Sequence, residues 1–138
     1  MISLIVAGHG TLAPELVKAA ELIYGPQPHI ASVTFVPGEN QDNLLEKYNQ
    51  AIATLDTATG LLFLCDLFGG SPFNAASRLA MGRDNTDVVT GVNLPMLLEI
   101  FTARTHHSLQ AVVNTATQAG KDGIQALKSL PHPEEEEL

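Results

Sequence analysis

The sequence contains little cysteine, no tryptophan and few basic residues. Of its 138 residues, one is Cys and seven are Lys or Arg, against fifteen Asp or Glu. A single cysteine forms neither an internal disulfide nor a structural zinc cluster, so we expect a reducing compartment and no metal site. The basic residues are scattered singly, which argues against nucleic acid or an anionic membrane surface as a partner. Half of the net charge of −8 lies in the terminal glutamates 134–137.

Long hydrophobic runs and targeting signals are also lacking. Every apolar run is far shorter than the roughly 20 residues that cross a bilayer, and no basic region precedes an apolar one at the N-terminus. We therefore expect a cytoplasmic protein. Its length predicts one domain, residues 1–130, followed by an acidic tail or the start of a linker at 131–138.

Four short apolar runs alternate with segments of helical spacing. The runs are ISLIVA (2–7), IASVTFV (30–36), GLLFLC (60–65) and DVVTGV (87–92), and two further helices are expected near 94–104 and 108–120. This alternation predicts an α/β fold, a doubly wound sheet of four parallel strands with helices on both faces. The segment IQALKSL, residues 124–130, fits either a continued helix or a fifth strand at the sheet edge.

Two of these runs end in residues that carry chemistry. The first is followed by His9, which stands between two glycines, and the third is followed directly by Asp66. In doubly wound sheets, ligands bind beyond the carboxyl ends of strands whose connections diverge to opposite sides. If the second and third strands flank the first, His9 and Asp66 are neighbours there. A carboxylate beside an imidazole fixes its tautomer and stabilises positive charge on the ring. The flanking glycines indicate that something large approaches His9, although a histidine alone is more typical of an ordinary turn.

The stretch GGSPFNAA, which begins at Gly69, carries the signals of a helix start. Ser71 is predicted as the N-cap and Pro72 as the first helical residue, while Gly69 and Gly70 let a ligand approach the backbone closely. Free amides at a helix start bind anions, so His9 beside this helix is suited to hold a phosphoryl group. Plain helix initiation is the alternative interpretation. Neither motif contains Lys or Arg, which indicates a group held loosely enough to be passed on.

Other features indicate less. Phe68 is either a core residue or an exposed docking aromatic, and its loop position favours docking. His106 and His107 fall in a connecting loop and are expected to be solvated. No GxxxxGK[ST] motif is present, which argues against nucleotide phosphate binding of the P-loop kind.

Four motifs in order, GHGTLA, FVPGEN, LFLCDLFGGSPFNAASR and GVNLPMLLE, closely resemble the IIA component of mannose-class sugar phosphotransferase systems, from residue 1 to about 128. The resemblance implies that His9 accepts a phosphoryl group on Nε2 from the phosphocarrier protein HPr. It implies that His9 passes the group to the IIB component, which phosphorylates a sugar entering through a membrane permease. Asp66 then matches the aspartate that hydrogen-bonds the active histidine. Five residues are expected to bind the phosphoryl group: Gly10, Thr11, Gly69, Gly70 and Ser71.

The resemblance also implies a homodimer that needs no cofactor. Its subunits exchange an antiparallel C-terminal edge strand, which supports reading residues 124–130 as strand. Two departures are visible: Phe68 stands where some relatives carry tryptophan, and many relatives continue into a fused IIB domain.

Three alternatives remain open. One is the related subunit that donates phosphoryl groups to dihydroxyacetone kinase, against which the VPGEN and GVNLPMLLE motifs argue. The second is a small tetrapyrrole metal chelatase, whose first strand also ends in GHG. A chelatase requires a second histidine ligand, which here only His106 or His107 supplies. The third is a regulatory module whose phosphorylation state a partner reads.

Overall fold

A computed structural model of the chain describes residues 1–131, so the predicted tail at 131–138 lies almost wholly outside the described residues. The strands are β1 (Ser3–His9), β2 (Ile30–Phe35), β3 (Leu61–Cys65) and β4 (Thr86–Thr90). The helices are α1 (Leu12–Tyr24), α2 (Gln41–Ala53), α3 (Ser71–Met81), α4 (Leu94–Ala103) and α5 (Leu109–Asp122), followed by a 3₁₀ turn at Leu127–Ser129. Among residues 1–131, no helix is both long and apolar enough to cross a membrane.

The four strands form one parallel sheet in the order β2-β1-β3-β4, which confirms the predicted sheet. Strand β1 pairs with β2 on one side and with β3 on the other. The chain therefore leaves β1 in one direction and returns to its other side, which produces the expected switch point. In this register His9 lies opposite Phe35 on β2, and Ala7 lies opposite Cys65, the residue before Asp66.

Each face of the sheet is covered by its own helices. One core lies between the sheet and α1, α4 and α5, and the other lies between the sheet and α2 and α3. Along β1, Leu4 and Val6 belong to the first core, whereas Ile5 and Ala7 belong to the second. Burial on both faces explains why this strand is a continuous apolar run. Each fully buried Leu or Ile contributes about 1.5–3 kcal/mol, so β1 is a stable base from which His9 projects.

The helices differ in how they begin. The side chains of Asn40, Asn93 and Ser108 cap α2, α4 and α5 by accepting a backbone N–H in the first turn. In the described part of the chain, no side chain caps α1 at Thr11 or α3 at Gly70. The prediction of Ser71 as N-cap is therefore wrong by one residue. Gly70 takes the extended N-cap conformation, and its carbonyl accepts the amide of the residue four positions on.

The C-terminal segment also differs from the strand expectation. Within this single chain, residues 124–130 form a loop with the 3₁₀ turn and no strand. Ile124 and Leu127 are each 79% exposed. An edge strand needs a neighbour for its backbone groups, and in this chain the segment does not pair with β4. Exchange with a second copy stays a prediction.

Candidate functional site

His9 and Asp66 meet at the carboxyl end of the sheet, as their positions after adjacent strands predict. Nδ1 of His9 lies 2.9 Å from Oδ2 of Asp66, and the same oxygen accepts the backbone N–H of His9 at 2.9 Å. An ionised carboxylate only accepts hydrogen bonds, so Nδ1 carries the proton and Nε2 of the neutral ring keeps its lone pair. The His9 side chain is 46% exposed and that of Asp66 is 15% exposed. The imidazole is thus oriented by Asp66 at Nδ1, while almost half of its side chain remains open to solvent.

The Asp66 carboxylate is directed at His9 through one oxygen. Its other oxygen, Oδ1, is buried and has no hydrogen-bond partner within residues 1–131. Few other donors therefore share its negative charge, which is available to stabilise a cationic imidazole. The preceding residue, Cys65, is fully buried, and burial, with the Asp66 charge, raises the pKa of its thiol to about 12. Cys65 is accordingly a neutral core residue.

Three glycines explain how the side chains fit together. A Cβ on Gly8 would lie 3.1 Å from Cγ of Asp66, so this glycine makes room for the carboxylate and not for a ligand. Gly10 has a φ of +61°, a backbone conformation that residues with a side chain rarely adopt, and it turns the chain into α1. A Cβ on Gly70 would lie 2.8 Å from Cε1 and 3.4 Å from Nε2 of His9. The close approach to His9 therefore comes from Gly70, at the start of α3.

Phe35 also contacts the His9 imidazole, a role that was not predicted from the sequence. Its ring stands edge-on to the His9 imidazole, with the ring centres 5.9 Å apart. Gly10 donates its amide to the Phe35 carbonyl at 2.7 Å, which ties the turn after His9 to the end of β2. The available signal was the FVPGEN motif, which begins at Phe35 and was used only for the family resemblance.

The loop after Phe35 is braced by an ion pair. Nζ of Lys47 lies 2.6 Å from Oε2 of Glu39 and also donates to the carbonyl of Thr34 at 2.9 Å. Glu39 in turn accepts the amide of Val36. The hydrogen bond from Lys47, followed by that from Val36, lowers the pKa of Glu39. The end of β2 is thereby held beside His9.

The predicted phosphate-binding residues occupy two helix starts. Gly10 and Thr11 lead directly from His9 into α1, and Gly70 and Ser71 begin α3 against the imidazole. Gly69 has a φ of +83° and lies on the exposed loop between Asp66 and α3. Within residues 1–131 no side chain caps either helix, so the amides of their first turns are not taken up by a capping group.

Exposed apolar side chains lie in the two segments that lead from His9 into α1 and from Asp66 into α3. Phe68 is 76% exposed and rests against Phe73, with ring centres 4.8 Å apart, so it is not a core residue. Leu67 is 58% exposed beside it, and Leu12 is 45% exposed at the start of α1. A groove of about 820 Å³ lies elsewhere, between α4 and α5. Both segments that adjoin His9 thus carry exposed apolar residues.

The histidines required by the chelatase alternative lie at the other end of the molecule. His106 and His107 follow α4, whose C-terminal Arg104 carbonyl accepts the amide of Ile2, at the amino end of β1. His9 lies at the carboxyl end of the same strand. The structure therefore does not bring this pair to His9, and the metal-site geometry of the alternative is absent from residues 1–131.

Comparisons with known proteins agree with the motifs. Residues 3–117 match the protein family described as PTS system fructose IIA component. The PTS system mannose-specific EIIAB component of Escherichia coli (strain K12) is 45% identical over 131 residues, 94% of this chain and 41% of that protein. The PTS system fructose-specific EIIA component of Bacillus subtilis (strain 168) is 36% identical over 125 residues, 91% of this chain and 86% of that protein. The chain spans less than half the length of the Escherichia coli relative.

Solved structures of similar proteins share the fold of this chain as well as part of its sequence. Phosphotransferase system component EIIA from Streptococcus agalactiae superposes with a TM-score of 0.87 at 27% identity, covering 94% of this chain and all of that chain. The mannose/sorbose specific IIA subunit from Enterococcus faecalis gives a TM-score of 0.84 at 25% identity, over 94% of this chain and 96% of that chain. With the family match over 3–117 and these likenesses, the chain belongs to the mannose-class IIA components of the sugar phosphotransferase system.

Proposed function

We propose that this chain is a cytoplasmic phosphoryl carrier that accepts a phosphoryl group from phospho-HPr on His9 and passes it to a IIB component. The observation that carries the proposal is the orientation of His9. Asp66 accepts a hydrogen bond from the Nδ1–H, with Nδ1 2.9 Å from Oδ2, which leaves Nε2 as the nucleophilic nitrogen beside the start of α3. Sugar uptake and phosphorylation then follow through IIB and the membrane permease, which this chain serves indirectly.

Phosphoryl transfer to His9 forms one P–N bond and breaks another, and it requires no cofactor. The Nε2 lone pair of His9 attacks phosphorus, and the bond between phosphorus and the donor histidine breaks, returning its electron pair to the donor ring. His9 becomes a cationic phosphoimidazole that keeps its Nδ1 proton, and the Asp66 carboxylate stabilises the new charge. Transfer to IIB is the same step in reverse, with a IIB nucleophile attacking the phosphorus. Asp66 itself is not a phosphoryl acceptor.

Two helix starts support the binding of the transferred group. Thr11 at the α1 start and Gly69 and Ser71 at the α3 start offer backbone amides at the positive ends of the helix dipoles. The amides of Gly10 and Gly70 already donate to the carbonyls of Phe35 and Leu67, so these two glycines contribute close backbone approach. By contrast, side chains occupy first-turn amides of α2 and α4, which follow the two edge strands. Free amides therefore occur at the helices next to His9. Amides without a lysine or arginine suit a group that must leave again.

The surface around His9 supports exchange between proteins. The imidazole is 46% exposed, and Phe68, two residues after Asp66, is 76% exposed. Exposed aromatic residues are frequent anchors at protein interfaces. HPr and IIB would dock on this apolar surface in turn, each presenting its own phosphoryl-bearing residue to Nε2.

Intact mass after incubation with phosphoenolpyruvate, enzyme I and HPr tests this function. We expect the wild-type chain to gain one phosphoryl group, labile in acid and stable in alkali, as phosphohistidine is. His9→Gln should gain none, while His106→Gln, an exposed histidine at the opposite end of the molecule, should match wild type. Phosphorylation of His9→Gln at the wild-type level would exclude His9 as the acceptor.

We also propose a homodimer in which the C-terminal segment is exchanged. In this chain the segment does not pair with β4, and Ile124, Leu127 and Leu130 stay exposed. Exposed strand edges favour pairing with another chain. Sedimentation should give a dimer at micromolar concentration, and truncation after Gly123, which leaves all five helices complete, should give a monomer. A full-length chain that sediments only as monomer would contradict the exchange.

A further inference from the structure

Tyr48 is a fully buried tyrosine on α2 with a hydroxyl that reaches the functional region. Its hydroxyl donates a hydrogen bond of 2.8 Å to the backbone carbonyl of Pro72, in the first turn of α3. Its ring packs edge-on against Phe63 of β3, with ring centres 5.1 Å apart. A phenylalanine would keep this apolar packing, so the hydroxyl serves another purpose.

The hydroxyl of Tyr48 acts as a donor under all ordinary conditions. Burial, with the nearby Cys65 and Asp66, raises the pKa of Tyr48 far above neutral pH, so the phenol keeps its proton. Within a helix, the Pro72 carbonyl is already placed to accept the amide four residues further on. The bond from Tyr48 is therefore an addition that ties the first turn of α3 to α2.

The first turn of α3 is the part of the helix that contacts His9. Gly70, two residues before Pro72, approaches Cε1 and Nε2 of the imidazole closely enough to leave no room for a Cβ. Asn74 donates its amide to the Gly70 carbonyl and its side chain to the Gly69 carbonyl, which makes this turn one unit. Because no side chain caps α3, a tether through Pro72 helps to set the distance from the turn's amides to Nε2.

We propose that Tyr48 is a positioning residue for phosphoryl transfer, whose hydroxyl holds the start of α3 against Nε2 of His9 through Pro72. The inference rests on the proposed function and deepens it. Tyr48 touches neither reactant, and its effect passes through the backbone of residues 70–72. A displacement of about 1 Å in a positioned group costs up to about 10²-fold in rate, and loss of one tether should cost about tenfold.

The two tyrosines of the chain provide a matched test. Tyr48→Phe removes the donor and keeps the ring, whereas Tyr24→Phe removes an exposed hydroxyl that meets Thr102 beside the opposite end of the sheet. Transfer from phospho-HPr to each folded protein is followed by rapid quench at a temperature well below its unfolding midpoint. We expect the maximal rate of Tyr48→Phe to fall about tenfold with an unchanged half-saturating HPr concentration. Tyr24→Phe should remain within about twofold of wild type.

The outcomes separate this inference from the function itself. A wild-type chain that takes no phosphoryl group removes the proposed function, whatever Tyr48 does. A folded Tyr48→Phe protein with the wild-type maximal rate, or with only a raised half-saturating concentration, overturns the positioning role and leaves the function standing. Replacement of Tyr48 by 4-aminophenylalanine, which keeps a donor, should restore the rate to within about threefold. If Tyr48→Phe does not fold, the 4-aminophenylalanine variant tests the positioning role. A tenfold loss of the maximal rate in that variant would contradict the tether.

Discussion

The two ends of the sheet hold their charged groups in opposite ways. At the carboxyl end, His9 is half exposed, and Asp66 has one oxygen that accepts two bonds and one that is buried without a partner in the described chain. At the amino end, Arg104 is fully buried after α4, where its two terminal nitrogens donate to four oxygen acceptors and its Nε has no partner within residues 1–131. One end keeps groups available for reaction, and the other uses a charge to join chain segments.

The Arg104 guanidinium joins three segments that are distant in sequence. It donates to the backbone carbonyls of Ile2, Pro28 and His29 and to the side-chain oxygen of Gln27. Phe101 lies beneath it, with its ring centre 5.7 Å from the guanidinium carbon. Burial lowers the pKa of Arg104 to about 10, so it remains charged at neutral pH.

This contrast indicates where stability and activity reside. The acceptors around Arg104 are backbone carbonyls and one side-chain amide, not a carboxylate. Arg104 therefore stabilises the fold by donating hydrogen bonds to backbone groups at the starts of β1 and β2. At the carboxyl end, the Asp66 carboxylate leaves negative charge available for a cationic imidazole, and the uncapped helix starts leave amides for the phosphoryl group. Substitutions at the amino end should therefore lower stability, and substitutions at the carboxyl end should lower the transfer rate.

Arg104→Met should produce the largest effect, on stability. Met fills much of the space but removes a donor from the buried carbonyl of Ile2 and from three part-buried acceptors, which we expect to cost about 3 kcal/mol of unfolding free energy. Arg83→Met, at an exposed arginine after α3, should change stability by less than about 0.5 kcal/mol. Urea unfolding followed by circular dichroism measures the difference. Equal stability of the two variants would show that the amino end is not held by Arg104.

Asp66→Ala should reverse this pattern. Without the carboxylate, the Nδ1 proton is no longer fixed and the cationic product loses its partner, so transfer should slow by about 10²-fold or more. The backbone N–H of His9 loses its acceptor but lies at an exposed residue that water reaches, so stability should fall by no more than about 1 kcal/mol. Rapid-quench transfer and urea unfolding are measured together, with exposed Asp84→Ala as control. Wild-type transfer in folded Asp66→Ala would remove its role, whereas unfolding would show that Asp66 is structural.

Gly70→Ala tests the carboxyl end with a single methyl group. The backbone of Gly70 has a φ of −76° and a ψ of 168°, which alanine adopts without strain, so stability should be nearly unchanged. The added Cβ would lie 2.8 Å from Cε1 of His9 and push the imidazole aside, which should slow transfer about tenfold. Gly82→Ala, whose Cβ would lie 3.8 Å from the carbonyl oxygen of Leu79, is the control at the other end of α3. Unchanged transfer in Gly70→Ala would mean that α3 does not set the position of the ring.

The reactive pair was predictable because its position follows from topology. A strand end is visible in a short apolar run, and the switch point places the ends of the first and third strands side by side, so His9 and Asp66 could be assigned together. The start of α3 was misplaced by one residue because serine is a favoured N-cap, whereas here Gly70 takes that position.

The roles of Arg104 and Tyr48 could not be predicted because their partners are remote in sequence. Arg104 stands among polar residues after an apolar helix, a pattern typical of an exposed side chain, yet its acceptors lie 75 to 102 residues away. The helical spacing of Leu44, Tyr48 and Ala51 predicts Tyr48 on an apolar helix face, but nothing local indicates that its hydroxyl meets Pro72. Such bonds depend on how helices pack, which periodicity alone does not specify.

Phe68→Ala should produce the smallest effect, on partner binding. The ring is 76% exposed and contacts Phe73, so its removal should cost at most about 1 kcal/mol of stability. Its expected role is contact with HPr and IIB, so the half-saturating concentration of phospho-HPr should rise several-fold, by about 3–10 times, with the maximal rate kept. Met81→Ala, at an 89% exposed apolar residue on the far end of α3, should leave both constants unchanged. Because His9 and Asp66 are untouched, a fall in the maximal rate alone would assign Phe68 to the reacting site and not to docking.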